Sequence, residues 1–156
     1  MVRAGPSSID RQGLFATQEI KKGTRIIQYK GEKISKAEGA RRAAAGNAYI
    51  FELNEHYDID GKALTNLARY VNHSCNPNCE IVTTTDTIWV VALRRIQAGE
   101  ELSYNYGYDI KNYTEYPCRC GAPNCCGYIL DRQYWDLLHL QQEWSRASDM
   151  VHRRRS

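Results

Sequence analysis

The chain has little of what marks secreted, membrane-spanning or nucleic-acid-coating proteins. Its first residues, Met1 to Ser8, lack the apolar core of about 7 to 15 residues that a signal peptide carries. No apolar run approaches the roughly 18 residues needed to span a bilayer, so the reading is a soluble, intracellular protein. An excess of one charge is missing as well. The last eleven residues, with Arg146, Arg153, Arg154 and Arg155 against Asp149, carry the whole net charge of +3, and the rest of the chain balances. A near-neutral body excludes the basic stripe of a whole-surface nucleic-acid binder, and the Arg153 to Arg155 tail reads as a solvated end. Phenylalanine is scarce, 2 residues against 11 tyrosines. Buried aromatic surface here therefore carries hydroxyls, which fits a tyrosine-lined pocket. Internal repeats and low-complexity segments are also lacking.

What is present fits one domain. A chain of 156 residues is long enough to bury about 70% of the surface its unfolded form exposes. In a reducing compartment its six cysteines point to metal rather than disulfides. Four of them crowd into Cys118, Cys120 and the vicinal Cys125 and Cys126. The C-x-C-x4-C spacing of Cys118, Cys120 and Cys125 lacks one ligand for a tetrahedral thiolate zinc site. Cys75, beside the polar Asn72, His73 and Ser74, is a natural fourth, leaving Cys79 and Cys126 free. Such a metal would pin the C-terminal part onto the middle of the chain and make the motif around Asn72 and His73 one wall of a site.

Short strand-like runs dominate as far as residue 107. They cover Gly13 to Ala16, Arg25 to Tyr29, Tyr49 to Leu53, Tyr57 to Ile59 before an Asp60-Gly61 turn, Glu80 to Thr84, Thr87 to Leu93 and Glu101 to Tyr104. One helix interrupts them, opened by the capping pattern Ser35-Lys36-Ala37-Glu38 and closed at Gly46. A second helix is expected from Asp131 to Ser145, with Tyr134, Leu137, Leu138, Gln141 and Trp144 packing on the body.

Three further features carry chemistry. Gly13 precedes a short apolar strand, where backbone can approach a ligand closely. Asn72 and His73 read as ligand-binding groups, as part of an Asn-Pro turn, or as a satisfied polar core. A His73–Cys75 nucleophile pair is set aside because the thiol is better employed on metal. Tyr104 and Tyr106 end a strand before Gly107, and their rings are expected on two different walls of a pocket.

In order along the chain, Gly13-Leu14-Phe15-Ala16, Tyr29-Lys30-Gly31-Glu32, the stretch Arg69 to Asn78, and Glu101-Leu102-Ser103-Tyr104-Asn105-Tyr106 resemble the SET-domain protein lysine methyltransferases. Cys118, Cys120 and Cys125 follow as the family's post-SET pattern. Two departures stand out. Arg11-Gln12-Gly13 replaces the usual Gly-x-Gly, so the cofactor loop is expected to be reshaped, and Tyr104-Asn105-Tyr106 replaces a motif with a central aspartate. No cysteine cluster precedes residue 8, so the family's zinc-rich pre-SET module is not expected.

The resemblance implies a mainly β, β-clip-like fold of small curved sheets with a C-terminal pseudoknot. It divides the chain into a SET domain over 1–110, a zinc-pinned post-SET segment over 111–130, and a C-terminal helix with basic tail over 131–156. It implies S-adenosylmethionine in one cleft and a substrate lysine in a narrow channel from the opposite face. The protein or peptide partner would be a histone or another protein. Tyr106 is the implied catalytic tyrosine, with Tyr29 and Tyr104 lining the channel. Cofactor contacts are implied for Gln12, Gly13, Leu14, Tyr49, Arg69, Asn72, His73 and Tyr128, the last against the adenine. A tyrosine at position 104 implies mainly monomethylation. The competing reading is a catalytically inactive SET-like peptide-binding module.

Overall fold

A computed structural model describes residues 1–153, with side chains through residue 145. The basic-tail expectation falls outside the described residues, which include neither the side chain of Arg153 nor any part of Arg154 and Arg155. Alternating and β-branched runs give ten short strands in four small sheets. Strands β1 (Val2–Pro6) and β2 (Gln12–Ala16) form an antiparallel pair with Ala4 opposite Leu14. A three-stranded sheet joins β3 (Arg25–Tyr29), β9 (Ile88–Ala92) and β8 (Cys79–Thr83), all antiparallel. A second joins β4 (Glu32–Ser35), β6 (Tyr57–Asp60) and β5 (Ile50–Glu52). Finally β7 (Asn72–His73) runs parallel to β10 (Ser103–Tyr104). Asn78 locks that last pair, its amide donating to the Glu101 carbonyl at 2.8 Å and its Oδ1 accepting from the Ser103 N–H at 2.9 Å. The motif stretch and the C-terminal tyrosines are thereby held side by side.

Helix α1 (Lys36–Ala44) starts where the cap predicts, with Ser35 Oγ accepting from the Glu38 N–H at 3.3 Å. The reciprocal half of the capping box does not form, because Glu38 turns to Arg41 and Arg42 at 2.7 to 2.8 Å. Gly39 lets α1 lie close on β6: a Cβ there would stand 2.2 Å from Asp58 Oδ2. Lys36 and Arg42 clamp the contact through Asp58 and Asp60, each at 2.7 Å.

The second helix corrects its expectation. A short 3-10 turn (Arg132–Tyr134), capped by Asp131, leads into α2 (Trp135–Arg153). Leu138 is fully buried, whereas Leu137, Leu140 and Trp144 are exposed, Trp144 by 77%. Of the expected stripe, Leu138 goes inside and Tyr134 is half-buried, while Leu137, Gln141 and Trp144 stay outside. The core itself is built from Leu14, Ile20, Val71, Ile88, Val90, Ile96 and Leu102, each at most 2% exposed. Burial of that kind stabilises by about 1.5–3 kcal/mol per large side chain. Among the described residues no helix is long and apolar enough to cross a membrane.

Candidate active site and metal centre

Cys75 leaves the end of β7 and meets Cys118, Cys120 and Cys125 from the C-terminal segment, all four Sγ atoms lying within 4.8 Å of one another. Cys75 Sγ is 3.8 Å from Cys118 Sγ and 3.7 Å from Cys125 Sγ. Four sulfurs at about 2.3 Å from a tetrahedral zinc ion stand roughly 3.8 Å apart, so the donor set fits that ion. Backbone N–H groups of Cys75, Cys120 and Gly127 donate to the sulfurs of Cys120, Cys118 and Cys125 at 3.4 to 3.5 Å, as thiolate ligands require. Burial pushes the Cys75 thiol far up and that of Cys118 up to about 12. At Cys120 burial also raises the pKa, but the N–H groups of Cys75 and Ala122 and the neighbouring thiols outweigh it and lower it to about 7. A buried group of thiols with these N–H donors lacks only positive charge, which a soft divalent cation supplies. Cys79 lies in the core. Cys126 donates to the Tyr128 carbonyl at 3.3 Å and stands outside the four-thiol group.

His73 joins this cluster to the tyrosines. Its Nδ1 accepts the Tyr106 N–H at 3.2 Å, which places its proton on Nε2, 3.6 Å from Cys75 Sγ. Burial lowers its pKa to about 4, so the ring is neutral at physiological pH. Asn72 turns the other way. Its amide reaches Gln12 O at 3.0 Å, Ser7 Oγ at 3.2 Å and Glu101 Oε1 at 2.8 Å, holding the loop before β2. Both side chains are therefore engaged inside the protein.

Beside them opens a cavity of about 480 Å³ lined by Tyr29, Tyr49, Phe51, Arg69, Tyr104, Tyr106 and Tyr108 among others. Tyr104 and Tyr106 do not take different walls. Residues i and i+2 of a strand share a face, and their rings are 4.8 Å apart in this one cavity. Beyond the turn at Gly107, where φ is +67°, Tyr108 comes to 5.8 Å from Tyr106. Phe51 fills the gap between Tyr29 at 5.1 Å and Tyr104 at 6.1 Å. Phe51 and Tyr108 belong to none of the sequence motifs, although Tyr108 extends the Tyr-x-Tyr spacing of residues 104 and 106. Tyr29 donates to the Tyr49 carbonyl at 2.9 Å, and Tyr106 to the Val71 carbonyl at 3.0 Å. Burial raises the pKa of Tyr29, Tyr104 and Tyr106, so all three hydroxyls stay protonated at neutral pH.

A second cavity of about 590 Å³ lies between the loop Ile9 to Arg11, Asn72, His73 and Tyr106 on one side and Glu115 to Arg119 with Ile129 on the other. Asp10, Arg11, Asn72 and Tyr106 border both cavities. Arg11, at the position of the missing glycine, keeps a glycine-like backbone with φ +31°, so the loop retains that conformation at a cost of about 1–2 kcal/mol.

The structure sorts the remaining implied cofactor contacts. Gln12, Tyr49 and Arg69 border the tyrosine cavity rather than the second one. Arg69 stacks 3.8 Å over the Tyr49 ring, and its Nη1 donates to the Lys62 carbonyl. Leu14 is corrected: it is a core residue, fully buried, with its carbonyl taken by the Leu102 N–H at 2.7 Å. A Cβ at Gly13 would stand 2.3 Å from Glu101 Oε1, so packing against that carboxylate favours glycine there. Tyr128 packs edge-on against Tyr113 at 4.8 Å and lines neither cavity.

The profile of the SET domain matches residues 11–107. Histone-lysine N-methyltransferase trr of Drosophila melanogaster is 43% identical over 129 residues, covering 76% of this chain and 5% of that protein. A histone-lysine N-methyltransferase, H3 lysine-4 specific, of Schizosaccharomyces pombe is 38% identical over 135 residues, covering 80% of this chain and 15% of that protein. Among solved structures, a humanized mutant of the Chaetomium thermophilum Polycomb Repressive Complex 2 bound to the inhibitor GSK343 superposes with a TM-score of 0.61 at 36% identity. It covers 69% of this chain and 15% of that one. The chain thus spans a small fraction of these relatives.

Proposed function

The chain belongs to the SET-domain family, and from that premise we propose that it transfers a methyl group from S-adenosylmethionine to the amine of a lysine in a protein substrate. One observation supports the reading: Tyr106 borders both cavities, together with Asp10, Arg11 and Asn72, so the two cavities meet at these residues. The second cavity suits the cofactor and the tyrosine cavity suits the lysine. When bound, S-adenosylmethionine supplies an electrophilic methyl on a sulfonium.

The protein's part is positioning and desolvation. A free lysine has a pKa of about 10.4. Its ammonium, enclosed by Tyr29, Phe51, Tyr104 and Tyr106 and facing the Arg69 cation, is disfavoured by burial and by like charge. The amine sheds its proton on entry, and the same burial keeps the tyrosines neutral, so none of them acts as a base at neutral pH. Tyr106, anchored on Val71 O and on His73 through its backbone, orients the amine. Cys75, Cys118, Cys120 and Cys125 would hold zinc, which fixes the 111–130 segment as the far wall of the cofactor cleft and leaves 1–110 as the SET domain. Residues 131–156 form the C-terminal appendage. The relatives carry histone-lysine in their names, and a histone is the first substrate class to test for this chain. The Tyr104 hydroxyl, by holding a water where a methylated amine would rotate, favours mainly monomethyl product.

The test is mass spectrometry of histones and a protein array after incubation of the zinc-loaded chain with S-adenosylmethionine. Methylated lysine is expected. Peptide binding with tight cofactor binding and no transfer would instead support an inactive SET-like module.

A further inference from the structure

Arg11 is the only non-glycine with a positive φ among the described residues. Its loop is fixed from below: the Ser7 N–H donates to the Arg11 carbonyl at 3.2 Å, and Ser7 Oγ bonds both Glu101 carboxylate oxygens at 2.8 and 2.9 Å. Among the described residues no contact repays the strain of a Cβ there. The Arg11 side chain is 93% exposed, and the ion pair it makes among the described residues is with Asp10, at 3.8 Å and itself 73% exposed. A surface pair of that kind contributes little. Glycine would adopt the same backbone freely. A strained residue with an idle guanidinium, standing on a rigid loop at the border of both cavities, points to a ligand.

We propose that Arg11 is a carboxylate anchor at the mouth of the cofactor cleft, pairing with the α-carboxylate at the amino-acid end of the cofactor. The guanidinium fork matches a carboxylate bidentately, and among the described residues that line the cleft the other cation is Arg119, on the segment opposite. The inference rests on the proposed function in that it takes S-adenosylmethionine as the cleft's occupant.

Calorimetry on the zinc-loaded chain tests it with two probes, S-adenosylhomocysteine, which has the carboxylate, and 5′-methylthioadenosine, which lacks the whole amino-acid tail. Arg11→Gly should weaken S-adenosylhomocysteine about 10- to 100-fold, the range of a charge-assisted pair, and leave 5′-methylthioadenosine unchanged. Arg11→Lys should recover part of the loss. Because Arg11→Gly also relieves the backbone, its Tm should be equal to or above that of the parent, which separates lost affinity from lost folding. Equal losses for both probes, or none for either, overturn the proposal. So does a collapse of the probe ratio in Arg119→Ala but not in Arg11→Gly, or a raised KM for protein substrate with unchanged S-adenosylhomocysteine affinity. Failure of the parent chain to bind either probe removes the cofactor reading itself, and this inference with it.

Discussion

At the scale of single residues, the site depends on which polar atoms are already committed. Asn72 and His73 look like ligand contacts in the sequence, yet their side chains hold a loop and bridge the thiol cluster to Tyr106. Tyr104 is the informative free variable in the tyrosine cavity. Tyr104→Phe should shift the product from monomethyl toward di- and trimethyl-lysine, since an unanchored water costs at most a couple of kcal/mol to displace. Time-resolved mass spectrometry of the products reads this directly, and ready trimethylation by the parent chain would remove Tyr104 from that role. The pH profile gives an independent check. With the pKa of Tyr29, Tyr104 and Tyr106 raised by burial, none of these three loses its proton below about pH 10. Initial rates should therefore climb to about pH 9 as free lysine deprotonates, with no descending limb from tyrosine ionisation in between.

At the scale of elements, two joints hold the parts together. The first is α1 on β6, where Gly39 leaves room for Asp58. Gly39→Ala should cost about 1–3 kcal/mol through overpacking, visible as a Tm lower by several degrees with the zinc content unchanged. The second is the metal centre. Cys118→Ser should lose zinc by metal analysis and expose the segment around residues 116–130 to protease, and chelation of the parent chain should abolish methyl transfer. How far these elements were legible follows from what each depends on. Helix α1 was readable because its cap is local, Ser35 to Glu38. The four-thiol cluster was readable because three of its four cysteines carry their own spacing. Strand β1 was not expected, since Val2 to Pro6 has no alternation of its own and exists by pairing with β2. The docking face of α2 was legible only in part: Leu138 goes inside as expected, but several apolar faces are equally periodic, and only the body decides that Leu137 and Trp144 stay outside.

At the scale of the whole molecule, four small sheets and a thiol cluster bring three distant stretches, residues 7–12, 69–78 and 101–108, to one point between two cavities. That convergence is tertiary, which explains why Phe51 and Asp10 escaped a reading by motif while Tyr104 and Tyr106 did not. The position proposed for Tyr106 is the point where the methyl group passes between the cavities. Its most direct measurement is single-turnover methyl transfer by Tyr106→Phe, run beside calorimetry with S-adenosylhomocysteine. Loss of one orienting hydrogen bond, worth about 1.5–3 kcal/mol to a charged or charge-developing partner, predicts transfer slowed roughly 10- to 100-fold with cofactor affinity unchanged. Transfer near the parent rate at unchanged affinity would contradict it.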